Sequence, residues 1–167
     1  MIKKKKYKIG DNIIELGKVF HIFKVVKTKN KDGAIERVLY FKPLFGEGSS
    51  ASLICSIPSK NIKLTKIRKP INIKQLKELI SRFGDKSITL KTEPGSDYKE
   101  YINSNDPVDT VDLIRHLHSE RKKSPDNFSS SKDHILKTSK DKLVQEFALV
   151  ARTTLEKAKE KIDLALK

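Results

Sequence analysis

Cysteine is nearly missing from this chain: Cys55 is the only one in 167 residues. That excludes an intramolecular disulfide framework and any multi-cysteine zinc site. Long apolar runs are missing too. None approaches the about 20 residues that a membrane span requires. The basic start is not followed by an apolar segment, so no secretory signal is expected and a cytoplasmic protein is. Acidic residues are the minority, 21 Asp and Glu against 36 Lys and Arg, for a net charge of +15. An excess of this size points to a polyanionic partner, nucleic acid first. What remains is 37% hydrophobic and 34% charged, a globular composition with a heavily charged surface. The length suits one medium domain or two small ones.

The charge is unevenly placed. Residues 1–91 hold 22 Lys and Arg against 7 Asp and Glu, while residues 92–167 hold 14 against 14. Lys3, Lys4, Lys5, Lys6 and Lys8 crowd the start. This run reads either as a solvated tail or as an arm that touches phosphates and releases counterions.

Residues 7–64 have the character of strands. Ile13-Ile14 precedes Gly17, and Val19 to Val26 is β-rich. Lys31-Asp32-Gly33 signals a hairpin turn, followed by β-rich Ile35 to Phe41. Gly46 to Ser50 reads as a flexible loop. Leu53 to Ile57 and Ile62 to Leu64 read as further strands, with Pro58 ending the first of them. Four or five short strands with tight turns predict a small twisted barrel of the SH3 or Tudor kind.

From residue 70 the period becomes 3.6. Asn72 can cap a helix carrying Ile73, Leu76, Leu79, Ile80 and Phe83. Asp106-Pro107 supplies a capping carboxylate and a proline at the first helical position. Ser130 with Asp133, and Thr153 with Glu156, have capping-box spacing ahead of two more apolar stripes. A fifth, short helix is expected around residues 97–103. The fold class is therefore α+β: a small Tudor/SH3-like β-barrel over residues 1–66, then a helical bundle of four or five helices over residues 67–167.

Signatures of catalysis are lacking. Gly46-Glu47-Gly48 does not open a helix with phosphate-loop spacing. His116 and His118 are two apart, where zinc on a helix favours three or four. His21 and His134 have no evident Asp or Ser partner. Cys55, in an apolar strand, reads as a buried small hydrophobe. No enzyme activity, cofactor or metal is expected. Basic residues say more. Lys24, Lys27, Lys29, Lys31, Arg37 and Lys42 alternate with apolar positions, so a two-residue period would put several on one exposed sheet face. Arg121-Lys122-Lys123 closes a helix, where basic residues also suit the macrodipole, and Lys132, Lys137 and Lys140 run along the next.

Several words in a fixed order resemble the CarD/CdnL family of bacterial RNA polymerase-binding transcription regulators, whose N-terminal module is shared with transcription-repair coupling factors. Tyr7 to Ile14 (YKIGDNII) is similar to the family's "GD-x-V-V" start, and Ser56-Ile57-Pro58 to its "V-x-V-P" word. Asp106 to Leu117 (DPVDTVDLIRHL) resembles its "GD...VAEVVRDL" helix. Phe128 to Val150 (FSSSKDHILKTSKDKLVQEFALV) is similar to "LS..E..ML..A...LV.ELALA".

The resemblance implies a non-enzymatic regulator. Its Tudor-like domain would dock on the RNA polymerase β subunit. Its helical domain would contact double-stranded upstream promoter DNA with low sequence specificity, through phosphate contacts and a tryptophan wedge in the minor groove. The chain has no tryptophan. Where the wedge should sit, it reads Leu90-Lys91-Thr92-Glu93-Pro94-Gly95, with Tyr98 the closest aromatic. The family's polymerase-contacting arginine two residues before the strand-ending proline is Ser56 here, and a second falls near Lys27 to Lys29. The resemblance and the charge together nominate Lys91, Tyr98, Lys99, Lys132, Lys137 and Lys140 for DNA. They nominate Lys27, Lys29, Arg37 and Ser56 for polymerase. The basic arm Lys3, Lys4, Lys5 and Lys6 would add nonspecific DNA contact. A monomer, nucleoid-associated and without a membrane partner, is expected. An RNA- or ribosome-binding basic module is the alternative, using Phe20, Phe23, Tyr40 or Phe41 to stack on bases. A hydrolase would need a His beside a carboxylate in a pocket.

Overall fold

The computed structural model describes residues 7–29, 31–46, 48–88, 90 and 98–167. It divides into two compact units, residues 1–69 and residues 70–167.

The first unit is a four-stranded antiparallel sheet in the order β1 (Asn12–Glu15), β2 (Lys18–Lys29), β3 (Ile35–Pro43), β4 (Cys55–Pro58). Leu16 and Gly17 join β1 to β2 in a two-residue turn, both at positive φ (48° and 82°). That is the twist that suits a tight hairpin, and Gly17 takes it without steric cost. Gly33 likewise takes φ 77° in the turn before β3. One side of the sheet packs Ile13, Phe20, Ile22, Leu39 and Phe41 with Ile62 and Ile67. Phe20 meets Phe41 edge to face at 5.4 Å. These two of the four candidate stacking aromatics are therefore core.

Four sequence expectations change here. The sheet is open. After β4 the chain reaches β1 only through an isolated bridge, in which Ile14 and Arg68 exchange N–H···O bonds of 2.8 and 3.1 Å. Asn61–Leu64 is a 3-10 turn rather than a strand. Ile62 enters the core while Leu64 is 84% exposed, a split that two-residue alternation cannot produce. Part of the expected flexible loop is ordered as a 3-10 turn over Gly48–Ser52. The last strand begins at Cys55, since Leu53 and Ile54 before it are exposed. Cys55 itself is half-buried, and desolvation together with Glu15 raises its thiol pKa.

Among the described residues the second unit has five α-helices: α1 (Ile73–Gly84), α2 (Lys99–Asn103), α3 (Pro107–Lys123), α4 (Ser130–Ala151) and α5 (Leu155–Ala165). Local chemistry sets their starts. The Asn72 side chain accepts from the Gln75 N–H, and Gln75 accepts in return from the Asn72 N–H, both at 2.9 Å. Asp106 accepts from the Val108 N–H at 2.8 Å, with Pro107 following it. The two later caps lie one residue from their expected places. Ser129, not Ser130, caps α4 by accepting from the Lys132 N–H; Thr154, not Thr153, caps α5 by accepting from the Lys157 N–H.

α4 is the centre of this unit, packing against α1, α3 and α5. Leu76, Leu79 and Phe83 of α1 meet a core built from Val111, Leu113, Ile114 and Leu117 of α3 and Leu143, Phe147 and Ala148 of α4. Phe83 and Phe147 lie edge to face at 6.5 Å. Polar clamps fix the arrangement. Arg82 of α1 grips Asp112 of α3 with two bonds of 2.6 and 2.8 Å. Fully buried Glu146 accepts from the Ile71 N–H at 2.9 Å, and the Lys142 ammonium donates to the Ile102 carbonyl, tying α4 to α2. Among the described residues no helix is long and apolar enough to cross a membrane.

Candidate nucleic-acid interface

The end of α3, the first half of α4 and the end of α5 form a ladder of cross-helix ion pairs. Lys132 pairs with Glu120, and Arg121 with Asp133 at 2.9 Å; both join α3 to α4. Lys140 pairs with Asp163 of α5 at 2.8 Å. Between them is a cleft of about 220 Å³ lined by Arg121, Leu136, Lys137, Lys140 and Lys159, with Asp133, Asp141 and Asp163 interspersed. Lys137 is exposed and has no ion-pair partner among the described residues. The Lys132 amine is held above its ordinary pKa, chiefly by its hydrogen bond to Glu120. Arg121–Asp133 is exposed at both ends and the two lysine pairs are partly exposed; surface pairs are worth about 0–1 kcal/mol, so a phosphate can compete for the lysines.

Tyr98 stands beside this ladder. It precedes α2 with φ 53°, an unusual conformation for a bulky residue. Its ring lies 5.7 Å from that of His116, and its hydroxyl is 3.3 Å from His116 Nε2. Half-buried in this way, Tyr98 is held against α3 rather than projecting from the unit. Burial, then the nearby Glu120, raises its pKa. Lys99 is exposed in the first turn of α2. The structure thus groups Tyr98 with Lys132, and Lys137 with Lys140. Lys91 and the arm Lys3, Lys4, Lys5 and Lys6 lie outside the described residues. Arg121 and Lys159 also line the cleft. Arg121 could be seen in the sequence only as a helix-end charge, and nothing local distinguishes Lys159 from its neighbours on α5.

His116 and His118 point to different surroundings, as their spacing implies. Burial is the largest cause that lowers both pKa values from 6.5. Lys132 and Lys123 add to this at His116 against an opposing Glu120; Lys122, Lys140, Arg115 and Arg121 add to it at His118. Both rings therefore resist protonation in the folded chain. As pH falls below about 6.5 the unfolded chain takes up protons first, so stability drops until the lower folded pKa values are passed. The helical unit is expected to melt at a lower temperature at pH 5 than at pH 7. His116→Gln with His118→Gln should reduce that difference, and an undiminished difference would assign it to other groups.

In the strand unit the expected single basic face is divided in two. Lys27 lies directly opposite Arg37, and Lys29 opposite Ile35, on the side that carries Leu39. Ser56, opposite Tyr40, is on the reverse side with Lys24. Arg37 donates to the Tyr7 carbonyl at 3.1 Å, so part of its hydrogen-bonding capacity serves the fold. The division follows from the odd spacing of three between Lys24 and Lys27, and the bulge between Ile22 and Lys24, which inserts Phe23, moves Lys24 off the side of Ile22. Among the described residues no cluster of His, Cys, Asp and Glu could hold a metal ion.

Residues 95–163 match the family described as CarD, C-terminal domain. The match runs from just before α2 into α5 and includes the whole ion-pair ladder. A search of curated proteins gives no match.

Proposed function

We propose, from the match of residues 95–163 to the C-terminal domain of CarD, that the chain is a non-enzymatic transcription regulator of CarD type. It binds double-stranded DNA with low sequence specificity and docks on the β subunit of bacterial RNA polymerase. It acts as a monomer in the cytoplasm, associated with the nucleoid. The observation that carries this reading is the family match, which includes Tyr98 and the helix bearing Lys132, Lys137 and Lys140. Lysines on a rigid helix face hold phosphates without reading bases.

The strand unit corresponds to the Tudor-like docking module. Its charge supports a role at an acidic surface: residues 1–69 hold 17 Lys and Arg against 5 Asp and Glu, a net of +12, while residues 70–167 hold 19 against 16, a net of +3. Among the described residues no strand occupies the outer edge of β4, and such an edge offers N–H and C=O groups to a partner strand. Lys27, Lys29 and Arg37 gather at the far end of the β2–β3 hairpin, and Ser56 lies on β4 itself. A pull-down tests docking. The full chain should retain polymerase β subunit, and a Lys27→Glu/Lys29→Glu variant should lose most of it. Equal retention by both would move docking away from the hairpin; no retention by either would end the docking reading.

A further inference from the structure

We infer that the sheet face opposite the core, over β2 to β4, is a binding surface for single-stranded DNA. This goes beyond the duplex contact assigned to the helices, and only the choice of DNA over RNA rests on that reading. The surface is made of two adjacent aromatic–lysine pairs. Lys24 Nζ is 5.6 Å from the Tyr40 ring centroid, and Lys42 Nζ is 5.7 Å from that of Phe23. Lys24, Tyr40 and Ser56 form a row across three strands, and Lys42 is on the same face as Tyr40. Phe23 joins them because the bulge places an extra residue there. Lys24, Lys42 and Ser56 are exposed, while both rings are half-buried.

The charge is one-sided. Only two carboxylates occur in the four strands. Glu15 lies on the side of Ile13, and Glu36, at the far end of β3, is paired with Lys60 at 2.9 Å. Nothing acidic in the strands therefore interrupts the face between Lys24 and Lys42. Toward β1 the face closes, since Ile14 and Val19 are fully buried. The open part is thus a compact platform with two rings and two ammonium groups.

Single strands suit this chemistry and duplexes do not. Every base has a π-face, so stacking on Tyr40 and Phe23 tolerates any sequence. In a duplex those faces are already occupied by neighbouring pairs. An exposed lysine 5.6–5.7 Å from a ring centroid is held only weakly, so a base can displace it and leave its ammonium free to meet the backbone phosphate.

The absence of tryptophan makes the test direct, because emission from the chain's four tyrosines is not masked. A dT20 oligonucleotide added to the full chain should quench it. Tyr40→Leu should abolish most of the quenching and weaken dT20 binding about 5- to 150-fold, with duplex binding nearly unchanged. Because Tyr40 is half-buried, Lys24→Ala/Lys42→Ala provides a second variant at exposed positions. It should flatten the slope of log affinity for dT20 against log salt by about 1.4. The Lys132→Ala/Lys137→Ala/Lys140→Ala variant should keep the dT20 response, which separates this surface from the helical one. The inference is overturned if dT20 leaves the emission unchanged, if neither sheet variant weakens dT20 binding selectively, or if rU20 binds more tightly than dT20.

Discussion

Replacing Lys132, Lys137 and Lys140 together with alanine should flatten the salt dependence of duplex binding by about 2.7 in the slope of log affinity against log salt. The figure is about 0.9 for each phosphate contact removed. Between 50 and 200 mM salt, the wild type should then lose about 40-fold more affinity than the variant does. Fluorescence anisotropy on a labelled duplex at several salt concentrations measures this. The three lysines should not contribute equally. Lys132 is engaged by Glu120 and Lys140 by Asp163, whereas Lys137 has no ion-pair partner among the described residues. Lys137→Ala should therefore be the largest single effect. Glu120→Gln should strengthen binding, because it releases Lys132 and removes a charge that repels phosphate. A triple variant with the wild-type slope would remove α4 from the interface. Loss of these surface pairs is too small to unfold the unit, at about 0–1 kcal/mol each.

Phe147→Ala should cost the helical unit about 3–5 kcal/mol. Phe147 is 2% exposed, lies on the central helix and meets Phe83 of α1 edge to face. Its loss leaves a cavity between α1 and α4 that close-packed neighbours can refill only in part. Domain stabilities are about 5–15 kcal/mol, so this is a large share of the total. With a slope of about 1.5 kcal/mol per molar urea, the 222 nm transition should move down by about 2 M or more. Phe147→Leu, which keeps most of the volume, should move it much less. A shift under about 0.5 M for the alanine variant would mean that the Phe83–Phe147 contact is not central to the core. The neighbouring Glu146→Ala should also destabilise, because it leaves the Ile71 N–H without the carboxylate it donates to.

On the proposed function, duplex binding and helical stability are linked through α4. Its inner side, with Leu143, Phe147 and Ala148, holds the bundle together, while Lys132, Lys137 and Lys140 sit toward its N-terminal half. The core thereby sets the spacing of the charges. Tyr98, the nearest aromatic to the expected wedge position, is packed on His116. Insertion into a minor groove would require breaking that contact as well as unstacking a base step.

The amino-acid order by itself determined the two halves, the α+β class and most element starts. These depend on interactions within about four residues: Asn72 with Gln75, Asp106 with Pro107 and Val108, Gly17 and Gly33 at turns. It also placed the charge, which needs no fold to be counted. The caps of α4 and α5 were displaced by one residue because Ser129-Ser130 and Thr153-Thr154 offer adjacent hydroxyls, and only the packed helix selects between them. The tertiary structure alone decided which side of the sheet each lysine and aromatic occupies. A single inserted residue at Phe23 shifts the alternation of β2 against β3, so Tyr40 and Phe23 meet lysines while Phe20 and Phe41 enter the core. It also decided which lysines are tied up. Lys132 with Glu120 and Lys140 with Asp163 are 12 and 23 residues apart in the chain. No local pattern relates such positions; helix packing brings them together.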